Sequence, residues 1–404
     1  MIKKSIYFFV FFLLLDFIYI NIIYPNFNYL GFDLITSFTN NVACYSILFI
    51  TVISYNSIKV NPVASFFLLL FLTFALIPHF ILLKYGTVGL NITFGYLIVF
   101  YIIILIQSKN FGKPKVLKIK LSDKQLLIIS LILALPFFLH YGFELNFNNL
   151  MLIDVYETRL NQSASSNMYL NYTYSLLASV FFPIVIVRLL SKKKYILLSF
   201  FIILYLYFFL VGAHKQLLFN LFLIFIFFSY KNRNLERNLL FVFSFFLILS
   251  IIEFLYFKTF LITNFFTRRV LFIPTLLDKY YFDFFESTSL FWSNSWLKFF
   301  LDYPYPYGAP YMIAGTYFGD WNQSSNNGIV SDGFSQAGYL GILINAIIIG
   351  FILRYINSNN IEFKYYGIIF IFLINIISTN LSTVLITHGG LLLIILSYKL
   401  KKTN

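Results

Sequence analysis

Two kinds of residue in this chain could do chemistry: basic side chains grouped in short sets, and an acid and a histidine set beside glycines. Arg159, the pair His214-Lys215 and the pair Arg268-Arg269 suit an anion, because a guanidinium makes paired hydrogen bonds to phosphate oxygens and an ammonium supplies a point charge. Asp332 stands in the segment Asn326-Asn327-Gly328-Ile329-Val330-Ser331-Asp332-Gly333-Phe334-Ser335-Gln336-Ala337-Gly338. His388 opens His388-Gly389-Gly390, where a bare backbone lets a ligand approach closely. Either could take a proton from a hydroxyl, a neutral imidazole being a general base near neutral pH. Plainer roles are open at each position. Asp332 before an apolar run can cap a helix, a histidine can bond only its neighbours, and a basic side chain near a membrane can reach out to lipid headgroups.

Absences narrow the chemistry. The sequence has no Walker-type phosphate loop, no His-Glu-x-x-His, no Cys/His cluster and no Asp-x-Asp pair on an outer loop. Cys44 is the only cysteine and lies in an apolar run, so neither an internal disulfide nor a cysteine metal site is expected. No metal, no cofactor and no nucleotide hydrolysis are indicated.

The elements that must position these residues are set by composition. Of the 404 residues 60% are hydrophobic and 11% charged, against about 25% charged in a soluble domain; a water-soluble fold could not hide so much apolar surface. The aromatic share of 22%, with Phe 54, Tyr 31 and Trp 3, reads as genome bias. The net charge of +14 would suggest nucleic acid in a soluble protein. Here the basic residues sit in clusters between apolar runs, which is the positive-inside pattern of a membrane protein, and no nucleic-acid partner is expected. Lys3 and Lys4 precede the first run without a small-residue cleavage site before Tyr24-Pro25, so that run is read as a retained span.

The runs predict an all-α, polytopic membrane protein with about twelve transmembrane helices. They are Ser5–Ile23, Thr36–Tyr55, Ser65–Leu83, Leu90–Ile106, Leu126–Tyr141, Tyr169–Leu190, Tyr195–Val211, Gln216–Tyr230, Asn238–Phe257, Phe334–Leu353, Tyr365–Ser378 and Val384–Tyr398. With the amino terminus in the cytoplasm, alternate connections carry the Lys and Arg excess: Lys59; Lys109 to Lys124; Arg188 with Lys192–Lys194; Lys231, Arg233 and Arg237; Arg354 and Lys364; Lys399 to Lys402. Both termini are then cytoplasmic. The chain reads as a single membrane domain over 1–404, with a first outer loop at 142–168 and a large outer loop at 258–333. Between Asn264 and Phe300 the large loop should hold short interfacial helices anchored by Trp292 and Trp296. Its tyrosines in Tyr303–Tyr311 are open to two roles, flat faces for sugar rings or interfacial belt residues. Arg159, His214, Lys215, Arg268 and Arg269 fall on the outer side, against the charge rule, and all four histidines map to the outer ends of spans.

This arrangement resembles the oligosaccharide repeat-unit polymerases of bacterial surface polysaccharides, the O-antigen and capsule polymerases. The resemblance rests on the span pattern, on Tyr156-Glu157-Thr158-Arg159 in a first outer loop, and on the turn Gly212-Ala213-His214-Lys215, where the family commonly shows Gly-x-Arg. It rests also on Arg268-Arg269-Val270-Leu271-Phe272-Ile273-Pro274 followed by Tyr280-Tyr281, and on Ser331-Asp332-Gly333-Phe334-Ser335-Gln336-Ala337-Gly338-Tyr339-Leu340-Gly341. It implies a GT-C-like membrane fold and transfer of a growing glycan from a polyprenyl diphosphate carrier to the next carrier-linked repeat unit, at the outer face of the cytoplasmic membrane. Donor and acceptor would be polyprenyl-diphosphate-linked oligosaccharides, and a chain-length regulator is left open as a further partner. Arg159, His214, Lys215, Arg268 and Arg269 would hold diphosphate, doing by charge what a metal does elsewhere, and Asp332 or His388 would deprotonate the acceptor. A ligase of similar build, a flippase for the same lipid-linked sugars and a non-catalytic assembly factor are the competing readings.

Overall fold

The computed structural model describes residues 2–109, 111–112, 114–115, 117, 121–143, 145–151, 154–165, 167–230 and 234–401, less the side chains of 2–4, 156, 163 and 164. Lys113, Lys118, Lys120, Glu144, Lys231, Arg233 and Lys402, together with the side chains of Lys3, Lys4 and Tyr156, therefore lie outside the described residues.

The helical runs in chain order are α1 (Ser5–Leu30), α2 (Phe38–Ser57), α3 (Pro62–Lys84), α4 (Leu90–Ser108), α5 (Asp123–Tyr141), α6 (Val155–Ser165), α7 (Met168–Ser191), α8 (Tyr195–Gly212) and α9 (Lys215–Ser229). They continue with α10 (Leu235–Phe257), α11 (Ile273–Phe284), α12 (Ala309–Phe318), α13 (Ile329–Ser358), α14 (Phe363–Ser378), α15 (Leu381–Leu385) and α16 (Gly390–Leu400). Among the described residues nine are long and apolar enough to cross a membrane, and the shorter apolar helices α9, α14 and α16 fall where further spans are expected. The chain is a helical multi-pass membrane protein.

Prolines shape several of these helices. Wide π turns at Tyr19–Ile23, Leu72–Leu76, Leu177–Phe181 and Thr263–Phe272 each end two residues before a proline, at Pro25, Pro78, Pro183 and Pro274. Proline has no N–H to give and its ring crowds the carbonyl one turn back; a widened turn relieves the crowding and lets the helix continue.

The chain forms two compact units. The first comprises Met1–Lys113, Asn232–Asn357 and Asn375–Leu381. Its centre is α3, buried over its whole apolar window. Asn61 caps α3 by accepting from the Ala64 amide at 2.8 Å, Lys84 pairs with Asp16 of α1 at 2.8 Å, and Ser65 donates to Glu236 of α10 at 2.7 Å. Such polar ties specify neighbours where lipid removes most of the apolar drive for helix association. Arg354 donates to the carbonyls of Ile106, Lys109 and Gly112 and so closes the end of α4.

In the same unit α13 is broken. Ala337 (φ −157°, ψ 37°) and Gly338 (φ 58°, ψ −142°) leave helical geometry and divide it into arms 329–336 and 339–358. The arms fold back on each other where two glycines meet: a Cβ on Gly333 would lie 2.6 Å from the Ile342 Cα, and one on Gly341 would overlap the Gly333 carbonyl oxygen. The first arm's terminal carbonyls, on Ser335 and Gln336, accept from the amides of Leu290 and Phe291, each at 2.9 Å, which satisfies orphan groups of a helix end. The expected span Phe334–Leu353 lies within this run and contains the break, with Phe334 in the first arm.

The second unit comprises Pro114–Lys231, Ser358–Ile374 and Ser382–Asn404. A Ser122–Gln125 capping box opens α5, and Asp123 pairs with Arg188 of α7 and, at 2.5 Å, with Lys192. The expected span Val384–Tyr398 is split: α15 ends at Leu385, and α16 starts only after a turn closed by Gly389 at φ +76°.

Candidate functional site

In the second unit the turn between α8 and α9 gathers four of the sequence-predicted residues. Gly212 is the last residue of α8; a side chain there would overlap the Tyr174 ring, whose hydroxyl donates to the Phe208 carbonyl at 3.0 Å. Ala213 takes the left-handed region at φ 48° and turns the chain. His214 is the N-cap of α9 and Lys215 its first residue. Arg159 reaches this turn from α6, its Nε–H donating to the Ala213 carbonyl at 3.0 Å. The α6 helix is tied down by buried Asn149, which bonds Thr158 at 3.0 Å and the Leu210 carbonyl at 3.4 Å.

His388 belongs to this group. Burial pushes the His214 imidazole down to about 4, and the positive charge of Arg159 and then of His388 acts in the same direction. His388 is likewise pushed down by burial. Both shifts favour the neutral imidazole at neutral pH, so the formal positive charge of this group lies on Arg159 and Lys215. The His388 Nδ1 is buried and has no hydrogen-bond partner among the described residues. Its neighbour Gly390 packs against the Val384 carbonyl and the Phe372 ring, which fixes the turn that holds the imidazole. Arg159 and Lys215 together favour an anion, with the imidazoles of His214 and His388 beside them.

The first unit holds the other predicted residues. Arg268 and Arg269 lie on the π-helical run Thr263–Phe272, whose start is capped by Glu253 through the amides of Leu261, Ile262 and Thr263. The two side chains differ in exposure. Arg268 is half-buried 4.7 Å over the Phe27 ring, where burial and the charge of Arg269 disfavour its ionised form; Arg269 is exposed.

Asp332 is buried in the first arm of α13. Its carboxylate accepts from Asn345 at 3.2 Å, from Gln336 at 3.4 Å and from the Leu381 amide at 3.1 Å. It caps α15, not its own helix, and among the described residues no basic side chain is one of its partners. Sequence reasoning passed over its neighbour Asp278 of α11, which is 1% exposed. That carboxylate accepts from Tyr96, from Ser331 and, at 2.9 Å, from Asn327, and burial pushes it up to about 7. The signal was Tyr281 and Phe282, three and four residues on, which place aromatic rings on its own face of the helix. The remaining histidines serve structure: His79 is fully buried and bonds Thr93 at 3.0 Å, and His140 bonds the Ser165 carbonyl at 2.9 Å.

Among the described residues no group of three His, Cys, Asp or Glu side chains is placed to hold a metal ion. No family model matches this chain, and searches of the curated proteins and of the solved structures find no match.

Proposed function

We propose that this chain is a membrane glycosyltransferase that polymerises polyprenyl-diphosphate-linked oligosaccharides into surface polysaccharide, of the O-antigen or capsule kind, at the outer face of the cytoplasmic membrane. The observation that carries the reading is the convergence of Arg159 and Lys215 with neutral His214 and His388 at the α8–α9 turn. The acceptor hydroxyl oxygen attacks the donor's anomeric carbon while the bond from that carbon to the diphosphate oxygen breaks. The hydroxyl proton passes to His388, and the leaving diphosphate is held by Arg159 and Lys215, whose charge stabilises it as it develops. His388 is supported over Asp332 as base because its Nδ1 has no partner among the described residues, whereas Asp332 is occupied by its own donors. In the first unit the exposed Arg269 is the better placed of its pair for a phosphate.

A second reading, a carrier for the same lipid-linked sugars, is favoured by the broken α13 with Asp332 and Asp278 buried at it, since carriers place ionisable groups at discontinuous helices. A gel of surface glycan from cells lacking the gene separates the readings. Glycans capped with a single repeat unit support the polymerase; long glycan left on its carrier points to a ligase; repeat units retained in the cytoplasm point to the carrier.

A further inference from the structure

One tryptophan, in a polar segment, is mounted on a glycine. Trp321 lies in Gly319-Asp320-Trp321-Asn322-Gln323-Ser324, and a Cβ on Gly315 of α12 would overlap its indole; one face of the ring rests on helix backbone. The segment that carries it is strapped to the same helix. Gly319 turns the chain at φ +71°, the Asp320 amide donates to the Ala314 carbonyl at 3.4 Å, and the Ser325 amide donates to the Pro310 carbonyl at 3.1 Å. The Asn322 amide closes the turn on the Asp320 carboxylate at 3.0 Å.

Beside the indole stands Tyr307, its ring centroid 5.6 Å away and tilted by 37°. That ring is positioned from below, because Tyr303 donates to the Tyr307 carbonyl at 3.0 Å, while Tyr303 and Tyr305 pack on the buried cluster of Tyr281, Phe285 and Ile313. Tyr307 is 51% exposed and Trp321 44% exposed, yet the side chains flanking the indole, Asp320, Asn322 and Gln323, are exposed acceptors and donors. The contrast lies in the same unit at Phe299 and Phe300, 91% and 81% exposed and followed by exposed Leu301, an apolar run of the kind that meets lipid. A ring with a rim of one carboxylate and two amides suits a sugar better than it suits acyl chains. A pyranose offers a face of C–H bonds to the negative face of an aromatic ring and a rim of hydroxyls to acceptors and amides.

We infer that Trp321 and Tyr307 form a stacking surface for neutral pyranose rings of an oligosaccharide, with Asp320 and Asn322 bonding the sugar hydroxyls. The carboxylate of Asp320 selects against acidic sugars. This surface goes beyond the transfer reaction proposed above and does not depend on the basic cluster in the second unit.

The test uses full-length protein carrying Trp292→Phe and Trp296→Phe, so that Trp321 is the sole indole, reconstituted in lipid nanodiscs. The probe is a set of oligosaccharides cut from the surface glycan of the source cells. The expected result is a saturable change in emission, weakened about tenfold or more by Tyr307→Ala and also by Gly315→Ala, which lifts the indole without removing it. The change should persist in Arg159→Ala, whose loss of polymer would report on the transfer reaction alone. Absence of a saturable change overturns the inference. So does quenching of Trp321 by brominated lipid as strong as that of a protein retaining only Trp296, since the indole would then be a membrane anchor.

Discussion

Arg159 donates its Nε–H to the Ala213 carbonyl at 3.0 Å, so the guanidinium is locked onto the one residue that turns the chain from α8 into α9. The bond serves two ends: it holds the left-handed turn that presents His214 and Lys215, and it fixes the plane of a side chain that acts on anions through a rigid fork.

Arg159→Lys keeps the charge and loses the Nε donor. The expected outcome is a fall in polymer formation of about tenfold or more with normal membrane insertion, measured as glycan length on gels. Full activity in the lysine variant would show that charge alone suffices.

The histidines set a pH dependence. A group whose pKa is lowered in the folded protein stays neutral above its ordinary value and gains a proton only as pH falls through the lowered one, so both imidazoles remain acceptors at neutral pH. Transfer measured in vesicles should therefore be level across neutral pH and decline only in acid, as His388 charges. His388→Gln should abolish turnover while donor binding survives. A rate that already falls between pH 7 and 6 would place the base elsewhere.

Asp278 has the opposite sign. Its pKa is raised to about 7, so its contribution to stability is complete below the unfolded value near 4 and is lost as pH rises through about 7. Thermal melts of detergent-solubilised protein should show stability declining from about pH 4 to 7 and levelling above that. Asp278→Asn should flatten that decline, because an amide cannot ionise. An unchanged slope in the variant would mean that Asp278 is already ionised or already paired.

The fold at α13 hangs on bare backbone. Gly333→Ala would drive a methyl into the Ile342 backbone, and a loss of about 2–4 kcal/mol is expected, seen as a lowered melting temperature. Gly319→Ala meets nothing within 4 Å and should be penalised only for its positive φ, by about 1 kcal/mol.

The helical, membrane-crossing class was legible because hydropathy reports it directly; Arg159, His214 and Lys215 were singled out as cations against the expected charge pattern, and His388 by the two glycines that follow it. Their gathering in one unit was not, because the Asn149 bonds that tie α6 to α8 join positions distant in sequence. The break at Ala337–Gly338 was hidden inside an apolar run, since a glycine there reads equally as helix or hinge. Asp278 escaped because an acid in a segment read as short interfacial helices is expected at the water side, and its burial rests on Tyr96 and Ser331, distant in sequence, closing on it. The opposing protonation of His214 and Asp278 depends wholly on that packing.

The most direct measurement reconstitutes purified protein in liposomes with a polyprenyl-diphosphate-linked repeat unit and follows chain length together with release of free polyprenyl diphosphate. The account predicts a ladder of linked repeats with one carrier released per linkage, absent in Arg159→Ala with Lys215→Ala. Movement of the lipid-linked unit across the bilayer with no ladder and no carrier release would contradict it.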